Sequence, residues 1–206
     1  PGLRERKKAR TKIAIQRQAI RLFLDQGYEG TTVEQIAAAA EVSPSTFFRY
    51  FPTKEDVVIR DDYDRLMLDA FRAQPRGLTP VQAARAAIRQ LAAVLGELSP
   101  EELALEQERA ILQLSVPEIR ARSIDELLRA FRLFAEAVAE RVGSAPEALP
   151  VRTFTGALLG VVMGAYLPVG GEGQEGAREI VALALSDELV ERMDHALGLL
   201  EAGLPI

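Results

Sequence analysis

Residues 31–56 of this 206-residue chain predict two short helices joined by a tight turn. Thr32 is a suitable N-cap for the first helix, and Ser43 is a suitable N-cap for the second. Pro44 then lies at the first helical position, where proline is favoured. Because nearly all other segments also have helical periodicity, the sequence predicts an all-α fold. The helix-turn-helix stretch near one end favours a DNA-binding regulator.

The second of these helices carries residue types that contact DNA. Arg49 can bind a guanine through two parallel hydrogen bonds, which are worth about 1–3 kcal/mol of discrimination. Helix N-termini at Thr32, Ser43 and Thr53 offer N–H groups to phosphate oxygens, although Ser43 and Thr46 have the alternative role of caps only. Helical spacing assigns four other residues to the core: Ile36, Ala40, Phe47 and Phe51.

The charge of the chain is divided by position. Residues 1–54 carry ten Lys or Arg and five Asp or Glu, for a net of +5, while the other 152 residues have a net of −10. A basic head can follow DNA while an acidic body stays away from it. The basic stretch Arg4–Lys12 is interpreted as a solvated, partly disordered arm, with minor-groove contact as the alternative.

We expect about nine helices. The first should end at Gly27 with an apolar side formed by Ile13, Gln16, Ile20, Phe23 and Leu24, and a long fourth helix should begin after Thr53. A break is expected at residues 74–77. Besides the two short helices within residues 31–56, the predicted ranges are Lys8–Gln26, Thr53–Phe71, Pro80–Leu95, Pro100–Leu114, Pro117–Val142, Glu147–Leu167 and Glu175–Ala202.

The sequence also bears on the compartment. The uncharged stretch Thr153–Gly171 has an apolar part that is too short for a bilayer, which needs about 20 residues, so we interpret it as a buried helix. The N-terminus lacks the apolar core of a signal peptide. Cysteine is absent, which excludes disulfides and fits a reducing compartment. We expect a cytoplasmic protein without membrane contact.

A combined pattern covers about residues 10–56. It comprises Gly27, Tyr28, Glu29, Gly30, Thr31, Thr32, Val33, Ile36, Ala37, Ala40, Val42, Ser43, Thr46, Phe47, Phe48, Tyr50, Phe51, Lys54 and Glu55. This pattern closely resembles the TetR family of bacterial repressors. The resemblance implies a three-helix DNA-binding domain at residues 1–54 and a ligand-binding and dimerisation domain at 55–206. It also implies a homodimer that binds a palindromic double-stranded DNA operator and is released by a small hydrophobic effector.

The resemblance assigns DNA contacts by position. It implies phosphate contacts for Thr32, Tyr50 and Lys54. It also places Phe48 where a tyrosine is common, so the contact of that tyrosine hydroxyl with phosphate is missing here. Glu41 lies where the family commonly has glycine, and a positive φ would cost glutamate on the order of 1 kcal/mol there. The remaining DNA-binding candidates are Ser43, Pro44, Ser45, Thr46 and Arg49, of which all but Ser43 would face bases.

Three glycines recur every four residues in the uncharged helix, at Gly156, Gly160 and Gly164. Each costs about 1 kcal/mol within a helix, and close approach of another helix compensates for that cost. The resemblance implies a four-helix dimer interface built from the last two helices, whereas packing inside the monomer is the alternative. As further residues of the dimer interface we predict three apolar residues of the amphipathic last helix: Leu189, Met193 and Leu197.

The effector site is predicted only in outline. The resemblance suggests the large side chains Phe131, Phe134, Met163 and Tyr166, with Arg109 and Gln113 as polar ends. The alternative is that the aromatic residues are ordinary core and the arginines are surface charges. Residues 108–131 are similar to an actinobacterial subgroup, some of whose members sense fatty acyl-CoA thioesters, and Arg109, Arg120 and Arg122 could form a basic mouth.

Two other classes of protein remain as alternatives. A helical enzyme would have to use the pair Glu191 and His195, which is one ligand short of the usual catalytic zinc set. The chain also lacks a cysteine nucleophile and a GxSxG motif. We therefore expect no enzyme, cofactor or metal. A helical small-molecule or lipid-binding protein without a DNA role would have no need of the basic head.

Overall fold

The structure, a computed structural model, describes residues 2–59, 63–166, 178 and 187–203. Ten helices can be delimited within these ranges, which contain no strand. The all-α prediction is confirmed. The helices are α1 Leu3–Gln26, α2 Val33–Ala39, α3 Pro44–Tyr50, α4 Asp56–Ile59, α5 Tyr63–Ala73, α6 Pro80–Gly96, α7 Pro100–Ser115, α8 Pro117–Val142, α9 Leu149–Tyr166 and α10 Asp187–Glu201.

Side-chain caps determine where several helices begin. The Thr32 hydroxyl accepts from the Gln35 N–H at 3.3 Å, and the Gln35 amide oxygen accepts from the Thr32 N–H at 2.8 Å. Such a capping box satisfies two backbone donors at once. Ser43 caps α3 by accepting from the Thr46 N–H at 3.1 Å. Thr79 begins α6 with a second capping box. These helix starts are therefore confirmed.

The chain forms two compact units. Unit 1 contains residues 1–60 and 104–123, and unit 2 contains 61–103 and 124–206. Segments of α7 and α8 therefore belong to unit 1. The sequence analysis divides the chain by function, into a DNA-binding domain that ends at residue 54 and a ligand-binding and dimerisation domain after it. This division stays a prediction.

Unit 1 is built on packing of α1 against α2 and α4, and of α2 against α3. Ile36, Phe47 and Phe51 are fully buried, as predicted, and Ala40 is partly buried. On α1 the prediction is partly wrong, because Ile13 and Leu24 are 50% and 47% exposed. Ile20 and Phe23 are buried as predicted, and Ile15 and Ala19 complete the apolar side of α1.

Two predicted helix boundaries in this unit differ from the structure. Helix α1 begins at Leu3, five residues before the predicted start, so the basic stretch is helical. The region predicted as one long fourth helix contains α4 and α5. Residues 60–62, between these two helices, lie outside the described residues. Before α4, the Thr53 N–H donates to Asp56 at 3.1 Å and the Asp56 N–H donates to Thr53 at 3.3 Å.

In unit 2, α6 packs against α5 and α10, and α10 also packs against α9. The loop after α5 is the break predicted at residues 74–77. The guanidinium of Arg141 on α8 donates to the carbonyls of Phe71, Gln74, Pro75 and Leu78 at 2.8 to 3.3 Å. A cation at this place satisfies carbonyl groups that the end of a helix leaves without partners.

Helix α9 has two different faces. Val151, Thr155 and Leu158 are buried, whereas Val162 and Met163 are 40% and 43% exposed. The interpretation of this segment as a buried helix therefore holds for one face only. Among the described residues, no helix combines the length and apolarity needed to cross a bilayer. The predicted last helix is described from Asp187 onward, and its earlier part lies outside the described residues.

Candidate nucleic-acid interface

Helix α3 has a buried face and an outer face. Phe47 is fully buried, and so is Phe51 directly after the helix. On the other side Pro44, Ser45 and Arg49 are exposed, and Phe48 is 49% exposed. Thr46 and Tyr50 are half-buried. No described part of the chain covers this outer face, so the predicted base-facing side chains are accessible together.

Hydroxyl groups at the start of α3 bond mainly to one another. The Ser43 hydroxyl donates to Thr46 Oγ1 at 2.9 Å and lies 2.9 Å from the Ser45 hydroxyl. The Ser43 oxygen also accepts the capping bond from the Thr46 N–H. Ser43 is therefore occupied with capping, while Ser45 and Thr46 retain lone pairs for other partners.

Arg49 is exposed on the outer face. Its guanidinium carbon is 5.4 Å from the centroid of the Tyr50 ring. A cation over an aromatic ring is attracted by the ring's π face, and the stacking restricts a long side chain that would otherwise be free. The guanidinium is thus held at the surface, where its planar fork suits the two acceptors of a guanine.

The turn between α2 and α3 contains the one described non-glycine residue with a positive φ, Glu41 at 54°. The Val42 N–H donates to the Ala37 carbonyl at 2.9 Å, and the Glu41 N–H donates to the Ala38 carbonyl at 3.1 Å. This is the Schellman ending of a helix, which requires the left-handed conformation at Glu41. Glu41 therefore has the positive φ that is costly for glutamate, and the turn keeps its geometry with glutamate in place of glycine.

Lys54 lies two residues before α4 and connects this segment to the loop that precedes α2. Its ammonium donates to the carbonyls of Tyr28 and Thr31 at 2.9 and 3.0 Å, and it lies 3.8 Å from the centroid of the Tyr28 ring. Since an ammonium has three donors, one is left for a phosphate. Lys54 is therefore a structural residue of the head besides being a predicted phosphate contact.

Tyr28 and Glu55 complete this attachment. The Tyr28 hydroxyl donates to the Glu55 carboxylate. Burial and this bond raise the pKa of Tyr28 well above its ordinary value. Burial alone would raise the pKa of Glu55, but the bond from Tyr28 and the nearby Lys54 charge lower it on balance. Glu55 is thus held in the charged form that accepts hydrogen bonds.

The positive charge of the head is concentrated at the start of α1. Residues 1–12 contain six Lys or Arg and one acidic residue, whereas residues 13–54 contain four basic and four acidic residues. Residues 4–10 are all exposed. The part of the head that includes α2 and α3 is therefore neutral as a whole, which the average over residues 1–54 conceals.

The predicted effector residues are divided between the two units. Arg109 and Gln113 lie in unit 1, whereas Phe131, Phe134 and Met163 lie in unit 2. The side chain of Tyr166 lies outside the description.

Arg109 is only 7% exposed. It donates to the Val58 carbonyl at 2.9 Å and to Glu106 at 2.8 Å. Arg122, proposed for a basic mouth, lies 3.4 Å from the fully buried Asp56. Both arginines therefore have partners within unit 1.

An apolar row on α8 was not singled out from the sequence. Ile124, Leu127 and Leu128 are 58%, 37% and 53% exposed, and the half-buried Phe131 continues the row. The spacing of three and four residues was a signal that could have revealed it. Phe134, one turn further, contacts Phe71 with ring centroids 5.6 Å apart and belongs to the border of the core.

The predicted dimer residues also separate into two groups. Gly156, Gly160 and Gly164 are exposed, and a Cβ added at Gly160 or Gly164 would meet no described atom within 4 Å. Met193 and Leu197 instead point into the core of unit 2, with 8% and 1% exposure. Their assignment to a dimer interface requires correction, because a side chain enclosed by its own subunit has no surface for a second copy. Leu189 is half-buried.

A charged cluster joins α6 to α10. Arg85 and Arg89 donate to the Asp194 carboxylate at 2.6 and 2.7 Å, and Arg85 also reaches Glu201 at 3.3 Å. The bond from Arg85 lowers the pKa of Asp194. Sequence reasoning missed this cluster because its members are about a hundred residues apart. Within the described part of the chain, no group of three His, Cys, Asp or Glu side chains is placed to hold a metal.

Two short helices, α2 and α3, joined by a tight turn with an exposed face on the second helix, are the arrangement of the helix-turn-helix class of DNA-binding domains. A family model for bacterial regulatory proteins of the tetR family matches residues 15–60, and a model of the MftR C-terminal domain matches residues 78–205. The chain belongs to the TetR family. It is a DNA-binding transcriptional regulator and not an enzyme.

Two curated relatives are regulators of this kind. TcmR of Streptomyces glaucescens is 50% identical over 105 residues, which cover 50% of this chain and 45% of TcmR. The match thus spans less than half of that relative. The mycofactocin biosynthesis regulator MftR of Mycobacterium tuberculosis is 28% identical over 166 residues, which cover 78% of this chain and 80% of MftR.

Solved structures give the same fold. FadR of Thermus thermophilus, a TetR family repressor solved in complex with lauroyl-CoA, is 26% identical with a TM-score of 0.51, and 95% of each chain is covered. NalD of Pseudomonas aeruginosa has a TM-score of 0.56 at 17% identity, with 95% of this chain and 97% of NalD covered. At that identity, NalD supports the fold alone.

The strained turn generates a stability prediction. Glu41→Gly should raise the free energy of unfolding by about 1 kcal/mol, because glycine adopts a positive φ without a steric penalty. Urea denaturation measures the change. Ala40→Gly is the matched control, since Ala40 has a φ of −88° and glycine should only destabilise there. A loss of stability in both variants would contradict the strain at Glu41.

Proposed function

We propose that this chain is a repressor that binds a palindromic operator as a homodimer and is released by a small hydrophobic effector. The observation that carries the proposal is the outer face of α3, where Arg49 is exposed and stacked on Tyr50. Helix α3 would lie in the major groove, which is wide enough to admit a helix. Pro44, Ser45, Thr46 and Arg49 would then face base edges.

Phosphate contacts would hold α3 in position. Thr32 and Ser43 stand at helix starts, whose N–H groups favour anions. Tyr50 can donate its hydroxyl, and Lys54 has one ammonium donor beyond the two that hold the loop before α2. These contacts determine position on the duplex and contribute little to the choice of sequence.

A second copy would pack on α9 and α10. The glycine row of α9 and the outer side of α10 border an open groove of about 700 Å³, lined by Gly160, Gly164, Ala196 and Leu199 among others. The glycines allow another helix to approach closely, and such an approach compensates for their cost within a helix. Of the six predicted interface residues, we therefore propose four for the contact with a second copy: Gly156, Gly160, Gly164 and Leu189.

The effector would be a molecule with a long apolar part. The exposed row on α8 offers apolar surface in unit 2 for such a molecule. Phe131 of α8 and Met163 of α9 are further candidates for contact with it. FadR of Thermus thermophilus, which is similar over 95% of this chain, was solved with lauroyl-CoA. We propose an acyl thioester or a similar amphipathic molecule as the effector class.

Arg49→Ala tests the role in operator recognition. A duplex selected by the wild-type protein from a random pool serves as operator, and its variants at each position form a gel-shift series. The variant should lose about 1–3 kcal/mol of discrimination at one position in each half-site, because a bidentate contact to guanine is removed. Arg65→Ala, at an exposed arginine of α5, is the control.

An equal loss for every duplex would reduce Arg49 to a phosphate contact. Failure of the wild-type protein to select any sequence would contradict the repressor and favour the small-molecule or lipid-binding protein without a DNA role.

Lauroyl-CoA tests the effector class. Its addition should lower operator binding, measured by fluorescence anisotropy, whereas free CoA should not. Leu128→Gln should weaken the response to lauroyl-CoA while leaving operator binding intact, because it places a polar group in the apolar row. Leu66→Gln, at an exposed leucine of α5, is the matched control. Equal responses to lauroyl-CoA and CoA would exclude the acyl chain as the recognised part.

Gly160→Leu tests the dimer face. Because an added Cβ meets no described atom within 4 Å, the subunit should fold, but the larger side chain should keep a second copy away. Analytical ultracentrifugation should then give a monomer mass with unchanged helical circular dichroism. Gly96→Leu is the control, since that glycine also has open space and lies at the end of α6. An unchanged dimer mass for Gly160→Leu would place the interface elsewhere.

A further inference from the structure

Phe48 is an apolar side chain on a polar surface. It is 49% exposed on the outer side of α3, next to Arg49 and one turn from Ser45. Its ring meets the buried Phe47 ring edge-on, with centroids 5.5 Å apart and planes at 87°. One side of the Phe48 ring is therefore fixed against the core of unit 1, while the other is presented to whatever α3 contacts.

The chemistry of a phenyl ring restricts what Phe48 can recognise. It has no hydrogen-bond donor or acceptor, so it cannot bind a phosphate oxygen or the polar edge of a base. In the major groove, the one apolar group that a normal base pair presents is the C5-methyl of thymine. Burying that methyl against an aromatic ring removes apolar surface of both partners from water.

The position of Phe48 on the helix is compatible with such a contact. Successive residues of an α-helix are about 100° and 1.5 Å apart, so Phe48 flanks Arg49 on the outer surface at nearly the same height. Base pairs are spaced by about 3.4 Å along the duplex. The two side chains can therefore reach the same base pair or neighbouring ones.

We infer that Phe48 is a specificity-determining residue that reads the methyl group of a thymine within about two base pairs of the guanine bound by Arg49. The inference rests on the proposed operator binding by α3. It gives Phe48 a role that differs from the phosphate contact of a tyrosine hydroxyl at this position.

The test removes only the methyl group from DNA. In the selected duplex, each thymine is replaced in turn by uracil, which keeps every hydrogen-bonding group. For the wild-type protein, one uracil position in each half-site should weaken binding about fourfold, the equivalent of one buried methyl group. Phe48→Ala should bind the thymine and uracil duplexes equally at that position, while Phe48→Leu should keep a preference for thymine.

Leu24→Ala is the matched control, because Leu24 is a comparably exposed apolar residue on α1 and should leave the uracil effect unchanged. Two results would overturn the inference: no uracil position weakens wild-type binding, or Phe48→Ala retains the full effect. The wild-type scan needs no variant, so a negative scan overturns the inference even if Phe48→Ala does not fold. Either of these results would leave sequence-specific binding itself intact, whereas failure to select any duplex would remove the proposed function as well.

Discussion

Burial of two phenylalanines determines what the head of this protein can offer to DNA. Phe47 and Phe51 are fully enclosed in the core of unit 1, one within α3 and one directly after it. Helix α3 has seven residues, and the side that carries Phe47 faces the core. The opposite side, with Ser45, Phe48 and Arg49, is therefore exposed to solvent. The candidate interface is therefore a consequence of core packing, and any change that rotates α3 would exchange contact residues for core residues.

Backbone hydrogen bonds then hold the elements around α3 in place. Caps at Thr32 and Ser43 determine where α2 and α3 begin, and the left-handed Glu41 determines the angle between them. Lys54 connects the start of α4 to the loop before α2 through two carbonyls. These contacts are made by polar groups, and they hold in place a seven-residue helix that would not be stable alone.

Local signals explain why so much of the head could be predicted. Caps and prolines act over three to five residues, and the sequence displays them directly. The positive φ at Glu41 was indicated only by the resemblance to a family with glycine there. The contacts that sequence reasoning missed join distant segments, such as Arg109 with Val58 and Arg85 with Asp194. On α10 the apolar pattern identified an amphipathic helix, but it could not assign Met193 and Leu197 to the core of their own subunit instead of a partner. Periodicity indicates that a face is buried and contains no information about what covers it.

The uneven charge of the head separates two tasks that DNA-binding proteins often combine. Residues 13–54, which include α3, are neutral as a whole, while residues 1–12 have a net charge of +5 on the exposed start of α1. The positive charge that attracts a polyanion over long range therefore lies in a segment outside the helix that we propose to read the sequence. If α3 selects the operator as proposed, the speed of encounter with DNA and the choice among encountered sites depend on different segments of the chain. Ionic strength should act on the encounter, while the duration of a correctly placed complex should depend on the few short-range contacts of α3.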